Sequence, residues 1–254
     1  MSSLSFIGNS SSYLRIPNTP TFDFGTGDFT IEWYQYQRDN NPYPRIFQVG
    51  NYGTTGITIG LSIEGGNIYY WRPTGFTLIT TLSASSYKNK WVHFAISRSS
   101  QVTKFFINGV TIGTLNDTTD YHSTEDLVIA NESTGTNNAA FGGYIMYFTW
   151  VKGVAIYTSN FTVSNDYPTL TSDYVLLLKS SSFDGTLGNT VINNNVSTNP
   201  NVPPNFGNHN PFTLTITNMR PMFSNNALRF YKPGSLASCG VGSVRNSSIK
   251  SKKI

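Results

Sequence analysis

Residues 91–113, WVHFAISRSSQVTKFFINGVTIG, decide the fold. Trp91 to Ile96 alternates, with Val92, Phe94 and Ile96 on one face and Trp91, His93 and Ala95 on the other. A period of two marks a strand in a layered sheet. Ser99-Ser100-Gln101 is a polar break. Lys104 to Ile107 and Val110 to Ile112 then flank Asn108-Gly109, the residue pair that supplies the two positive φ values of a tight type I′ hairpin. Three consecutive antiparallel strands are expected here.

Working outward, similar strands recur as far as residue 179. Leu4–Ile7 and Ser12–Ile16 are short. Asp28–Gln37 is long, with Phe29, Ile31 and Trp33 as the core stripe and Thr30, Glu32 and Tyr34 opposite. Arg45–Gly50, Gly56–Ile63 and Asn67–Arg72 read as a meander. Leu78–Leu82, Asp126–Ala130, Tyr144–Val151 and Tyr174–Lys179 complete the set. Turn signals separate the strands and no long 3.6-residue period intervenes, so the fold class is an all-β sandwich or jelly roll. Charged residues are only 12% and aromatics 14%, which suits turn-rich β structure and argues against a disordered chain. No apolar run reaches the length of a membrane-spanning helix, so no transmembrane segment is expected. The start lacks a basic stretch followed by an apolar one, so no signal peptide is expected. Cys239 is the only cysteine, which excludes an internal disulfide.

After Lys179 the composition changes. Ser180–Pro211 is rich in Asn, Ser, Pro and Gly and reads as a linker or arm. Phe212–Thr217 and Ala227–Tyr231 alternate but are too few to form a core. Residues 1–179 hold ten Lys/Arg against twelve Asp/Glu, and residues 180–254 seven against one, so the net charge of +4 comes wholly from the C-terminal part. The expected organisation is a sandwich over 1–180 and an extended, basic C-terminal arm over 181–254.

Three stretches carry a family resemblance. Trp91, His93, Arg98 and the Asn-Gly-Val hairpin resemble the laminin G-like branch of the concanavalin A-like β-sandwiches. Tyr13–Tyr36, YLRIPNTPTFDFGTGDFTIEWYQY, resembles that family's opening, and Gly143–Phe161, GYIMYFTWVKGVAIYTSNF, its closing strand and following turn. The resemblance covers roughly residues 4 to 180 and implies a laminin G-like jelly-roll sandwich. That fold hosts lectins, hydrolases, adhesion modules and structural proteins, so it does not fix an activity. The ending SCGVGSVRN (238–246), with its Lys-rich tail, is similar to the C-termini of laminin G-like proteins of large DNA viruses. This second resemblance implies a non-enzymatic minor capsid or capsid-associated protein, placed in the virion after synthesis in the host cytoplasm. Its partners would be other capsid proteins, including the major capsid protein.

Candidate residues follow from chemistry. For docking, Arg245, Lys250, Lys252 and Lys253 supply charge, and Phe212 and Phe230 supply apolar anchors. The alternative is a lectin-like module for host attachment, binding glycan through loop aromatics Tyr52, Tyr70, Trp71 and Tyr121. Relatives of the resembled family hold Ca²⁺ through loop carboxylates, which here points to Asp117 and Asp120; otherwise no cofactor is expected. Glycoside hydrolysis needs paired carboxyl groups, and no strand carries such a pair, so no catalytic residue is assigned and the chain is read as a non-enzyme. His93 is expected to be a packed sheet histidine. No nucleic-acid motif accompanies the basic tail, so no sequence-specific nucleic acid is expected.

Overall fold

The structure is a computed structural model. It describes residues 2–51, 56–132, 136, 138–166, 168–179, 187, 189–204 and 206, with the backbone of 220–224 and 227–231. In chain order the strands are β1 (Ser3–Ile7), β2 (Tyr13–Ile16), β3 (Phe29–Gln37), β4 (Arg45–Asn51), β5 (Gly56–Glu64), β6 (Asn67–Arg72) and β7 (Gly75–Thr81). There follow β8 (Trp91–Ser99), β9 (Val102–Ile107), β10 (Val110–Asn116), β11 (Leu127–Ile129), β12 (Gly142–Lys152) and β13 (Tyr174–Leu178), then β14 (Ile192–Asn194) and β15 (Ser197–Asn199). Every pairing is antiparallel. The first sheet runs β10-β9-β8-β3-β12-β1-β15, with β13 added to the second half of β12; the second runs β14-β2-β11-β4-β5-β6-β7. Among the described residues, no helix is long and apolar enough to cross a membrane.

The period of two explains the packing. Phe29, Ile31 and Trp33 of β3 are fully buried between the sheets. The Trp33 ring stacks on Phe94 at 5.5 Å and meets Phe47 edge-on at 5.8 Å. The Asn108-Gly109 turn forms as expected, with φ of 48° and 77°. Gly109 is needed for a second reason: a Cβ there would stand 2.0 Å from the Phe161 carbonyl oxygen.

That oxygen belongs to residues 153–164, which lie as a strap across the outer face of the first sheet. Lacking a ladder of its own, the strap borrows side chains. Thr30 Oγ1 donates to the Val154 carbonyl and accepts from the Ile156 amide, Asn160 Oδ1 accepts from the Thr111 amide, and the Phe161 amide donates to the Gly109 carbonyl. Ser97 Oγ accepts from the Tyr157 amide and Lys104 Nζ donates to the Thr158 carbonyl.

The arm expected from residue 181 differs in part. Residues 189–204 and Phe206 belong to the sandwich: β14 pairs with β2 in the second sheet and β15 with β1 in the first. Val196 and Phe206 are buried. Two unpaired strand edges would otherwise stand open at β1 and β2. The Asn193-Asn194-Asn195 run ends β14 and opens the turn to β15, and is not a linker. Asn193 Oδ1 accepts from the Val196 amide, its Nδ2 donates to the Val196 carbonyl, and Asn195 takes φ 50°. The chain divides at Asn208. In the second unit, β16 (Arg220–Ser224) and β17 (Ala227–Tyr231) pair antiparallel from Arg220↔Tyr231 to Ser224↔Ala227.

Truncation after Lys179 should therefore lower the melting temperature sharply, because it strips β14, β15 and Phe206 from the sandwich. Truncation after Asn208 should leave melting nearly unchanged. Calorimetry of the two truncated chains beside the full chain checks both outcomes.

Candidate functional site

The outer face of the first sheet is as aromatic as its inner face. Cross-strand register sets two rows there: Tyr144–Tyr36–Trp91 and Met146–Tyr34–His93, each running over β12, β3 and β8. Beyond them lies Glu32, buried at 2% exposure. A β-bulge between Met146 and Thr149 puts Tyr147 at φ 62° and turns its ring to the outer face beside Met146. A non-glycine residue in that conformation is strained and is held by its surroundings. Here the Tyr147 hydroxyl donates to Glu32 Oε1 at 3.1 Å. Tyr157, brought in by the strap, donates to Glu32 Oε2 at 2.7 Å, and His93 Nε2 lies 3.1 Å from the same oxygen. Burial, and then the Glu32 charge, push the Tyr34, Tyr147 and Tyr157 phenols well up, and the same two causes push Tyr174 up to about 12.

The strap and residues 201–204 flank the same stretch of this face. Between them lies an open groove of about 430 Å³ whose floor is Tyr34, Trp91, His93 and Asn108. Thr162 and Val163 of the strap, with Asn165 just beyond it, form one wall, and Pro203 and Pro204 the other. Trp91 is half-buried. Its indole Nε1 donates to Asn201 Oδ1 at 3.1 Å, and its ring packs against Tyr36 and Tyr144. Asn108 Oδ1 accepts from the His93 amide at 3.0 Å. His93 Nδ1 is buried with no hydrogen-bond partner. The groove thus joins an apolar ring surface to amide and imidazole groups.

The residues proposed from sequence lie elsewhere. Tyr70 and Tyr121 are core residues whose hydroxyls meet at 2.8 Å, so neither can stack on a ligand at the surface. Tyr70 shares the inward face of β6 with Ile68 and packs edge-on against Phe105 at 5.0 Å. Trp71 is buried beneath the Arg45 guanidinium at 4.3 Å and donates to Ser62 Oγ. Asp117 is fully enclosed: Oδ2 accepts from Thr103 Oγ1 and the Tyr121 hydroxyl, and Arg72 Nη1 stands 3.7 Å from Oδ1. Asp120 is exposed and faces His122 Nδ1 at 2.5 Å. The two carboxylates do not open on one space, and this pair does not fit a calcium site. Among the described residues no group of three or more His, Cys, Asp or Glu is clustered for a metal. Tyr52, Phe212, Arg245, Lys250, Lys252 and Lys253 lie outside the described residues, as does the side chain of Phe230. Trp91, Tyr34 and Asn108 were not among the sequence candidates. Their signal was an Asp28–Gln37 strand with aromatics on both faces, which requires cover on both faces.

A family model for the concanavalin A-like lectin/glucanases superfamily matches residues 8–158. No curated protein matches the chain at a significant level. Among solved structures, the chain is similar to a Bacteroides ovatus protein provisionally described as carbohydrate binding. The TM-score is 0.58 at 15% identity, over 78% of this chain and 59% of that one. It is also similar to the native heptameric SAP-like pentraxin of Limulus polyphemus, with TM-score 0.56 at 11% identity, over 78% of this chain and 94% of that one. The chain thus spans 59% of the length of the Bacteroides protein. At these identities the likeness is one of fold.

The raised phenols set an alkaline limit. An unfolded tyrosine ionises near pH ~10, whereas Tyr147 and Tyr157 stay neutral well above that while folded. The folded state then binds the extra protons. Stability is fully present below pH ~10 and falls as pH rises toward the folded values, by about 1.4 kcal/mol per pH unit for each phenol held neutral and less where solvent reaches the ring. Denaturant unfolding between pH 9 and 11 should show this decline. Phenolate absorbance should rise for these tyrosines only as the protein unfolds.

Proposed function

The chain belongs to the laminin G-like family of the concanavalin A-like lectin/glucanase superfamily, and from that membership we propose that it is a non-catalytic carbohydrate-binding module. The sugar would lie in the groove over Trp91 and His93. The observation that carries this reading is the gap left between strap and C-terminal segment, which bares a half-buried indole beside amide side chains. A pyranose has an apolar C–H face suited to an aromatic ring, and a rim of hydroxyls that need directed polar partners. Trp91 offers the first, and Asn108 and Asn165 the second. The provisional description of the Bacteroides protein agrees with this reading.

The absence of catalysis is part of the proposal. Glycoside hydrolysis uses two carboxyl groups on either side of the scissile bond. The residues lining this groove include no Asp or Glu. Glu32, directly behind them, has both oxygens engaged by Tyr147, Tyr157 and His93. A calcium ion has no part in this reading.

A glycan array of the full chain should show saturable binding. Trp91→Ala should weaken binding of the array hits at least about tenfold in titration calorimetry. Phe76→Ala, at an exposed ring on β7, should leave it unchanged. A blank array with folded protein would overturn the reading.

A second reading, attachment to a larger particle such as a viral capsid, is favoured by one feature. Residues 209–254 form a second unit and carry seven Lys/Arg with no Asp or Glu. A surface of one sign draws in acidic partners and loses them at high salt. Mass spectrometry of purified particles tests this reading; finding no copies there would end it.

A further inference from the structure

We infer that Asn108 sets the specificity of the groove: its Nδ2 is held as a donor for the carbonyl of an acetamido group, so that the ligand is a neutral glycan containing acetamido sugars. This inference rests on the carbohydrate-binding reading and names the class of sugar.

The first step is the direction of the Asn108 amide. Asn108 is exposed, lies in the turn between β9 and β10 and lines the groove. It is tied twice to β8. Its backbone amide donates to the His93 carbonyl at 2.9 Å, and its Oδ1 accepts from the His93 amide at 3.0 Å. A backbone N–H only donates, so the atom that faces it is the oxygen and not the amino group. The hydrogens of Nδ2 are therefore on the other branch of the side chain, and among the described residues no acceptor takes them. The fold thus fixes this amide with its donor edge to spare.

The second step is what the rest of the floor has left to offer. The Trp91 indole Nε1 donates to Asn201 Oδ1, and the Tyr34 hydroxyl donates to the Ser164 carbonyl at 2.5 Å. Asn201 is thereby a positioning residue: it holds the indole as an apolar platform whose N–H is already engaged. Phe161, Val163, Pro203 and Pro204 make the surrounding lining apolar, and no Lys, Arg, Asp or Glu is among the lining residues.

The third step is the ligand. A hydroxyl that accepts from Nδ2 keeps a hydrogen of its own to place, and a plain hexose brings several such groups to a lining poor in acceptors. An acetamido group matches this lining more closely. Its carbonyl accepts with no hydrogen left over, and its methyl suits an apolar wall that would desolvate a hydroxyl at a cost. Its N–H has Thr162 and Asn165 at the exposed rim. A carboxylate, sulfate or ammonium on the sugar would find no opposite charge in the lining.

The test is titration calorimetry of the full chain with matched pairs of neutral oligosaccharides, gluco- and galacto-configured. The members of a pair differ only in an acetamido group or a hydroxyl at one ring carbon, as triacetylchitotriose differs from cellotriose. In at least one pair the acetamido member should bind about tenfold or more tightly than its partner. Asn108→Asp keeps an oxygen facing the His93 amide and tolerates the positive φ, but replaces the spare donor with an acceptor. It should melt as the unaltered chain does and lose about tenfold or more in affinity for the acetamido sugar. A residue that only closed the turn would leave that affinity unchanged. If sugars without an acetamido group bind as tightly or are the only ones to bind, or if Asn108→Asp binds as the unaltered chain does, the inference fails and the carbohydrate reading stands. If neither these sugars nor any glycan on the array binds, both fail. Should Asn108→Asp not fold, the matched pairs on the unaltered chain decide alone.

Discussion

The central strands of the first sheet are apolar on both faces, and the rest of the structure answers that constraint. β3 alternates Phe29, Ile31 and Trp33 with Glu32, Tyr34 and Tyr36, so neither face suits open water. The inner face is covered by the second sheet, in the manner of any β-sandwich. The outer face is covered by two irregular pieces, residues 153–164 and the stretch ending at Phe206. Phe206 packs edge-on to Tyr34 at 5.4 Å. Irregular backbone must find hydrogen-bond partners one by one. The strap finds them in Thr30, Ser97, Lys104 and the Asn108-Gly109 turn. The groove is what remains uncovered, and its floor is aromatic because everything around it had to be.

Two buried charges tie loops to this frame by different means. Glu32 collects side chains from β12, β8 and the strap onto one carboxylate. Arg98, fully buried at the end of β8, collects backbone: Nε donates to the Gly27 carbonyl, Nη1 to Thr119 and Nη2 to Gly25. Its guanidinium also lies over Phe29 and Tyr121 at about 5 Å. Removing either partner set would strand a charge away from water, which is far worse than never burying it. These residues therefore act as fixed points that set where the loops run, more than as additions to stability.

Much of this was legible in the sequence, and the limits have physical causes. Asn108-Gly109 could be read because only a turn with two positive φ values asks for that pair. Trp33 could be read as core because its stripe is uniform over three positions. Tyr70 and Trp71 could not be placed by the same logic. Asn67–Arg72 has aromatics at three successive positions, so alternation says nothing about which ring faces in. Tyr147 breaks alternation outright, since a bulge puts it on the same side as Met146. The asparagines at 193–195 suited both a linker and a turn, and only the open edges of β1 and β2 distinguish the two. The groove was the least legible feature, because it depends on where two covering segments stop.

The crossing of β1–β2 and β14–β15 from one sheet to the other along a shared edge bears on the order of events during synthesis. Leu4 pairs with Ile145 and with Thr198, and Leu14 with Ile129 and with Asn193. β1 and β2 are thus among the last strands of the sandwich to be flanked on both sides. Pairings so distant along the chain make for slow folding. β1 and β2 must wait, half-matched, until β14 and β15 have been made. It is in this interval, rather than in the finished molecule, that the protein is most exposed to misassociation with its neighbours.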